Sequence, residues 1–388
     1  MKACGIIAEF NPFHNGHAYL IERARESGFS HVIAVMSGNF VQRGEPAVIE
    51  TAVRAEAALR AGADLVLQLP VPFALSGAEN FARGAAEIMT SAGVIDSLVF
   101  GSECGDIEML SECARILSST ETGRLIAKEL ETGISYASAR ERALGSVSPQ
   151  LPEIIREPNN ILAVEYIKAL NRSGSSLTAV TFKRNVPHDS EICLGGFRSA
   201  SSIREMIKKG ENISEYVPDV YGKYDDFNIV DSNRFEAAAL CNMRKMSAAE
   251  IGSLPDISEG IENRIYSASR NSSSLDGLYS AAKTKRYSHA RIRRIVMCAF
   301  TGITAADAAA DACYIRPLGI NDRGAELLSL MKGRALLPVI SRTSDIAELP
   351  PQAQRMFDLE CRSTDLYTAC LARPLLPGLE KDRKLIKI

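Results

Sequence analysis

The first hundred residues alternate between short, nearly unbroken apolar runs and longer stretches with the apolar spacing of amphipathic helices. Residues 3–8, 31–36, 64–69 and 97–100 read as strands. Their apolar positions are continuous rather than alternating, as parallel strands covered on both faces require. Between them, residues 18–27, 49–61 and 79–91 read as helices ended by Gly28, Gly62 and Gly93, the residue type that most readily adopts a left-handed turn. This rhythm predicts a doubly wound α/β sheet.

From residue 107 the spacing becomes helical, with segments at 108–118, 121–131 and 136–144, then a proline-bearing loop at 146–158. A helix at 160–170, a strand at 177–182 and a helix at 199–209 resume the α/β pattern. Residues 212–231 are mixed. Beyond Arg234 the chain reads as mostly helical, with capping signals at Ser247, Ser258 and Thr304 and a serine-rich loop at 267–274. The expected organisation is a doubly wound parallel-sheet domain with helical insertions over 1–215 and a mainly α-helical domain over 216–388.

With 388 residues the chain can bury more than one core. Its net charge of −2 argues against a uniformly basic nucleic-acid binder, and the absence of Trp argues against a stacking-rich single-strand binder. Nine cysteines, an odd number without a Cys-x-x-Cys pair, suit free thiols in a reducing cytoplasm. No apolar run approaches the roughly 18 residues of a membrane span. A soluble cytoplasmic protein is expected, and no signal peptide is read at residue 1.

Chemistry concentrates at His14-Asn15-Gly16-His17, between the first strand and the first helix. In α/β proteins a strand, a tight glycine-bearing turn and a helix N-terminus form a cradle for a phosphate chain. Two imidazoles there can stabilise developing phosphoryl charge without a permanent cation. Such pairs also bind zinc, but no third and fourth ligand stands nearby at motif spacing. A second constellation, Phe197-Arg198-Ser199-Ala200-Ser201-Ser202-Ile203-Arg204, opens another helix with hydroxyls and a bidentate guanidinium suited to phosphate oxygens.

His14-Asn15-Gly16-His17 resembles the His-x-Gly-His signature of the nucleotidylyltransferase superfamily, and residues 199–204 resemble its degenerate second signature, with Arg198 in place of Ile, Ala200 in place of a Ser and Ser201 in place of Thr. A longer likeness is carried by Glu9-Phe10-Asn11-Pro12-Phe13-His14-Asn15-Gly16-His17, by Val35-Met36-Ser37-Gly38-Asn39-Phe40-Val41-Gln42-Arg43-Gly44-Glu45-Pro46-Ala47, by Phe100-Gly101-Ser102-Glu103, by Pro158-Asn159-Asn160-Ile161-Leu162 and by Lys285-Arg286-Tyr287-Ser288-His289-Ala290-Arg291-Ile292-Arg293-Arg294. On these residues the chain is similar to the bacterial tRNA(Met) cytidine acetate ligase family. The likeness spans residues 1 to about 330 and is weakest over 107–150 and after 330.

The resemblance implies a two-step reaction. Acetate attacks the α-phosphate of ATP, giving acetyl-adenylate and pyrophosphate; the N4 amine of the wobble cytidine of elongator tRNA(Met) then takes the acetyl group and AMP leaves. It implies His14, His17, Ser201 and Arg204 as catalytic residues. It implies an ATP site formed by Ile7-Ala8-Glu9-Phe10-Asn11-Pro12-Phe13-His14-Asn15-Gly16-His17-Ala18-Tyr19-Leu20 together with Gly101, Asn160 and Arg184. Magnesium is expected to arrive with the triphosphate, since no acidic cluster specifies a protein-held metal. Asn39, Gln42 and Arg43, in the loop after the second strand, are candidates for the acetate or cytidine pocket, Arg43 for the carboxylate.

Residues 277–306 contain Lys283, Lys285, Arg286, Arg291, Arg293 and Arg294 and no Asp or Glu. Beside the resemblance this segment reads as the tRNA backbone contact, with Tyr287 or His289 available to stack on a base. The rival reading is a small-molecule nucleotidylyltransferase or a pantothenate-synthetase-like adenylate-forming ligase, which would share the ATP motifs but has no need of that basic segment.

Overall fold

A computed structural model describes residues 1–184, 196–219, 221 and 227–388. The parallel core of the sheet is built from β1 (Ala3–Ala8), β2 (His31–Ser37), β5 (Leu65–Leu69), β6 (Ser97–Ser102) and β7 (Thr178–Lys183). A small antiparallel hairpin, β3 (Phe40–Val41) with β4 (Glu45–Pro46), lies in the loop after β2, and β8 (Pro317–Ile320) and β9 (Ile386–Lys387) come from the far end of the chain. The seven-stranded order is β7-β6-β1-β2-β5-β8-β9. β1 pairs in parallel with both β2 and β6, so the chain winds outward through β2 and β5 before returning to the other side of β1. That reversal opens a crevice at the carboxyl ends of β1 and β6, where open α/β sheets bind ligands.

β2 and β5 are buried along their whole length, which explains their unbroken apolar sequence. One face of the sheet packs Ile33, Leu67 and Leu98 against Phe81, Ala85 and Met89 of the Ala78–Ala92 helix. The other packs Ile6, Val32 and Ala34 against Ile21 and Ala24 of the Asn15–Glu26 helix and Ala55 and Leu59 of the Thr51–Arg60 helix. The expected glycine stops hold: Gly28, Gly62 and Gly93 all have positive φ. The inserted helices fall at Ile107–Leu117, Thr120–Glu131 and Tyr136–Val147.

The C-terminal region is largely helical, as expected, but also donates β8 and β9 to the sheet. β8 runs antiparallel to β5, so the sheet is mostly rather than wholly parallel. Ser247 and Thr304 cap helices through reciprocal capping boxes. Ser258 does not: Gly260 is the N-cap of Ile261–Asn271, and the Ser258 hydroxyl instead meets the Tyr287 hydroxyl at 2.7 Å. Most of the serine-rich stretch is helix rather than loop, because Ile265, Ala268 and Ser269 face a core and Ser274 caps the next helix. Phe40 is completely buried in the helical region's core, with its ring 6.2 Å from Phe300 and 6.3 Å from Tyr367. The hairpin after β2 is thus held from the helical side. Among the described residues no helix is long and apolar enough to cross a membrane.

Candidate active site

β1 delivers Glu9 to the sheet edge, and the chain then turns into the Asn15–Glu26 helix. Phe10 takes a left-handed φ of 48°, a strained conformation for a bulky residue, and its ring stands edge-on to His17 at 4.9 Å. His14 is the helix N-cap: its Nδ1 accepts from the Gly16 N–H at 3.0 Å, while His17 Nδ1 accepts from the His14 N–H at 3.2 Å. The two histidines therefore form a reciprocal capping box, and their rings stack 3.8 Å apart. Gly16 is required here, since a Cβ would stand 2.9 Å from His14 Cε1.

This wiring settles the tautomers. A neutral ring that accepts at Nδ1 carries its proton at Nε2, so both Nε2–H groups are donors. Burial, then the nearby Arg184 and Arg204 guanidinium groups, pull the His14 pKa down to about 3. Burial, the stacked His14 ring and Arg184 hold His17 well below the ordinary imidazole range. Both rings are neutral at pH 7, as the sequence suggested. The leading helix N–H groups are not free, however. Asn15 N–H donates to Tyr216 O at 2.9 Å, Gly16 N–H to His14 and His17 N–H to His14 O at 2.8 Å. What this turn can offer an anion is therefore the pair of imidazole Nε2–H groups.

The second signature closes over the first. Ser199 caps the Ala200–Lys209 helix. Arg204, 9% exposed, donates to Asn11 O at 2.9 Å and to Ser201 Oγ at 3.3 Å, and lies 3.4 Å from Glu45 Oε1. Arg43 Nη1 reaches the same Ser201 hydroxyl at 3.3 Å. From β6, Gly101 lets Arg184 approach, a Cβ there standing 3.2 Å from Arg184 Cγ. The resulting cavity of about 590 Å³ is lined by Glu9, His14, His17, Gln42, Gly101, Ser201 and five arginines, Arg43, Arg140, Arg184, Arg204 and Arg294. Among the described residues no three His, Cys, Asp or Glu side chains converge as metal ligands do.

Not every sequence candidate reaches the cavity. Ile7, Ala8, Phe10, Asn11 and Leu20 line it, and Tyr19 and Gly16 line its smaller neighbour over His14 and Arg198. Phe13 is fully buried. Asn15 instead fastens the chain below, donating to Gly196 O at 2.8 Å and Glu215 O at 2.9 Å. Asn160 is buried beside the lining residues Asn159 and Ile161, and its amide oxygen accepts from Glu103 N–H at 2.9 Å and Cys104 N–H at 3.2 Å. Asn39 is likewise structural, since its Oδ1 accepts from Thr51 N–H and its Nδ2 donates to Thr364.

The basic segment is divided. Lys283 and Lys285 are exposed. Arg286 pairs with Glu259 at 2.6 Å and also donates to Leu130 O of an inserted helix. Arg291 donates to Asp256 O at 2.7 Å and covers the Tyr287 ring, and Arg293 lies over Tyr279. Arg294 turns inward to the same cavity as His14 and His17, 3.9 Å from Asp256. Tyr287 cannot stack on a base: it is 3% exposed, and its hydroxyl donates to Ser258 O at 2.6 Å.

Sequence reasoning missed Arg54. It is completely buried, and its guanidinium donates to the carbonyls of Ile49, Glu9, Ser37 and Gly38. It thereby ties the ends of β1 and β2 to the loop beneath the cavity, although an Arg in an Ala-rich helix reads as a solvated one. Arg140 was missed too; it stands in the stretch 107–150, where the likeness is weakest, and faces Glu165 at 3.1 Å.

Residues 1–377 match the HIGH Nucleotidyl Transferase family model. The chain is 38% identical to a tRNA(Met) cytidine acetate ligase of Acetivibrio thermocellus, with 96% of each chain covered. It is 39% identical to one of Clostridium kluyveri, with 95% of each covered. Its structure superposes on apo Thermotoga maritima TmcAL with a TM-score of 0.93 at 32% identity, and on the same protein bound with alpha-thio ATP with a TM-score of 0.91 at 31% identity, both over the full length of each chain.

Proposed function

The chain belongs to the HIGH nucleotidyl transferase family and, within it, to the tRNA(Met) cytidine acetate ligases, and we propose that it forms N4-acetylcytidine at the wobble position of elongator tRNA(Met), using ATP and acetate. In the first step an acetate oxygen bonds to the α-phosphorus of ATP and the bond to the β-phosphate bridge breaks, releasing pyrophosphate. In the second the cytidine N4 bonds to the acetyl carbon, and the acyl–oxygen bond breaks with its electron pair leaving on AMP.

The observation that carries this reading is the stacked, neutral His14–His17 pair facing a cavity ringed by arginines. Its two Nε2–H donors suit the α-phosphoryl oxygens, where charge develops as acetate attacks. Preorganised donors of that kind are each worth about 10²–10³ in rate. Arg184, Arg204 and the Ser201 hydroxyl suit the outer phosphates and the departing pyrophosphate. Arg43, sharing Ser201 with Arg204, suits the acetate carboxylate. Among the described residues no three His, Cys, Asp or Glu side chains converge as metal ligands do; magnesium carried on the triphosphate would neutralise part of its charge. Adenylation needs little proton transfer; positioning and electrostatics dominate.

Arg294 and Ser288 bring the helical region to the rim of the same cavity, which suits a nucleotide held at the end of an RNA loop. With ATP and tRNA as substrates, the enzyme works in the cytoplasm. The rival small-molecule ligase leaves this helical wall unexplained. The test is direct: incubate the protein with labelled acetate, ATP and tRNA(Met), then digest to nucleosides. Labelled N4-acetylcytidine is expected. Acetate-dependent ATP–pyrophosphate exchange without label in RNA favours the small-molecule reading, and absence of both overturns the proposal.

A further inference from the structure

The second step needs a group to take a proton from the N4 amine, and the sequence motifs mark none. Among the described residues lining the cavity, Glu9 carries the one carboxylate, against five arginines. The histidines cannot serve. Each spends its Nδ1 lone pair on a backbone N–H, and Nε2 already bears the proton. Tyr136 and Tyr166 are phenols whose ionisation burial pushes upward, and guanidinium groups do not accept protons.

Glu9 is also held in place. Its backbone carbonyl is gripped by Arg54, and its Oε1 accepts from the Gln42 N–H at 2.8 Å. Oε2 has no hydrogen-bond partner among the described residues, so it is the oxygen left to meet a substrate. We propose that Glu9 is the catalytic base of acetyl transfer. As the N4 lone pair bonds to the acetyl carbon and AMP departs with the electrons of the acyl–oxygen bond, one N4 proton passes to Glu9 Oε2, and later to water. Among the described residues, the charged and titratable groups that act on it are Arg43 and Glu45 of the β3–β4 hairpin, Arg204, Arg54 and Tyr166. Burial raises its pKa; Arg43, the Gln42 N–H and Arg204 oppose that, Glu45 adds to it, and the balance stays above the ordinary carboxylate range. A carboxylate so tuned accepts a proton more readily near neutral pH.

The inference rests on the ligase reading, and the experiment separates the two. Glu9→Gln keeps the volume and the acceptor for Gln42 but cannot take a proton. Acetate-dependent pyrophosphate exchange reports the first step, and single-turnover transfer from bound acetyl-adenylate to tRNA(Met) reports the second. The ratio of transfer to exchange should fall by about 10²–10⁴ in Glu9→Gln. Glu9→Asp should recover part of it. Wild-type transfer should rise with pH as Glu9 ionises, and that limb should vanish in Glu9→Gln. A ratio within about threefold of wild type overturns the proposal, as does equal loss of both steps in Glu9→Gln and Glu9→Asp alike, which would assign Glu9 to the nucleotide site. If wild-type protein forms no N4-acetylcytidine at all, it is the ligase reading that fails.

Discussion

Gly44 lies against the backbone of Arg294: a Cβ on Gly44 would stand 2.5 Å from the Arg294 nitrogen. The turn of the β3–β4 hairpin and the inward-facing arginine of the His289–Thr301 helix are therefore set by one close approach. Gly44 also has a φ of 74°, where a side chain is strained. Gly44→Ala should destabilise the protein by about 1–3 kcal/mol and slow both reaction steps. Calorimetry beside pyrophosphate exchange checks this; an unchanged melting temperature would mean the helix yields freely.

His17→Asn keeps a side-chain acceptor near the His14 N–H but loses the Nε2–H donor. Exchange should drop by about 10²–10³ with little loss of stability. Wild-type exchange in this variant would remove His17 from the phosphoryl site.

The histidines' depressed pKa values carry a sign for stability. The unfolded chain takes up protons below its ordinary imidazole pKa of 6.5, whereas folded His14 stays neutral down to about 3. The stability this confers is fully present above pH 6.5 and is lost as pH falls toward 3. Urea midpoints should decline from pH 7.5 to pH 5, and less steeply in His14→Gln. The same neutrality predicts no acid limb of pyrophosphate exchange from these residues between about pH 6 and 8; a limb in that range that disappears in His14→Gln would contradict it.

The split basic segment predicts two phenotypes. Lys283→Glu with Lys285→Glu should weaken tRNA binding and flatten its salt dependence by about two units of slope, while sparing exchange. Arg294→Gln should leave tRNA affinity within about threefold, because its guanidinium faces the cavity, but slow acetyl transfer at saturating tRNA. Filter binding across a salt series and single-turnover transfer check both; matching salt slopes for the two variants would erase the distinction.

Arg54→Met removes a buried donor to four carbonyls. Leaving such groups unpaired costs about 1–3 kcal/mol each where water cannot reach them, so the variant should be severely destabilised or fail to fold. Near-wild-type unfolding would show that water replaces the guanidinium.

The sheet and the histidine cradle were legible because their signals are local. β1, β2, β5 and β6 are buried on both sides and so read as unbroken apolar runs, and a strand–turn–helix with two imidazoles needs fewer than twenty residues to declare itself. What stayed hidden depends on distant partners. Arg54 and a solvated arginine look alike in an Ala-rich helix until the carbonyls around it are known. Ser258 looks like a cap until the Tyr287 hydroxyl, far along the chain, claims it. Asn39 and Asn160 have the chemistry of ligand contacts, yet Asn39 spends both its amide oxygen and its amide nitrogen, and Asn160 its amide oxygen, on other parts of the chain. Arg294 sits in a run of cations, and only packing decides which of them turns inward.

β8 and β9 have a consequence for how this molecule comes to exist. β5, buried next to β2, carries its other edge bare until residues 317–320 have been synthesised, and β8 in turn waits for residues 386–387. The buried Arg316–Glu380 pair joins the same late segments. Vectorial synthesis therefore cannot complete the sheet before the rest of the chain emerges, and an exposed strand edge is an invitation to mispairing. Ribosome-bound chains halted near residue 215 should remain protease-sensitive across β5, and resistance there would show that the sheet closes without its last strands.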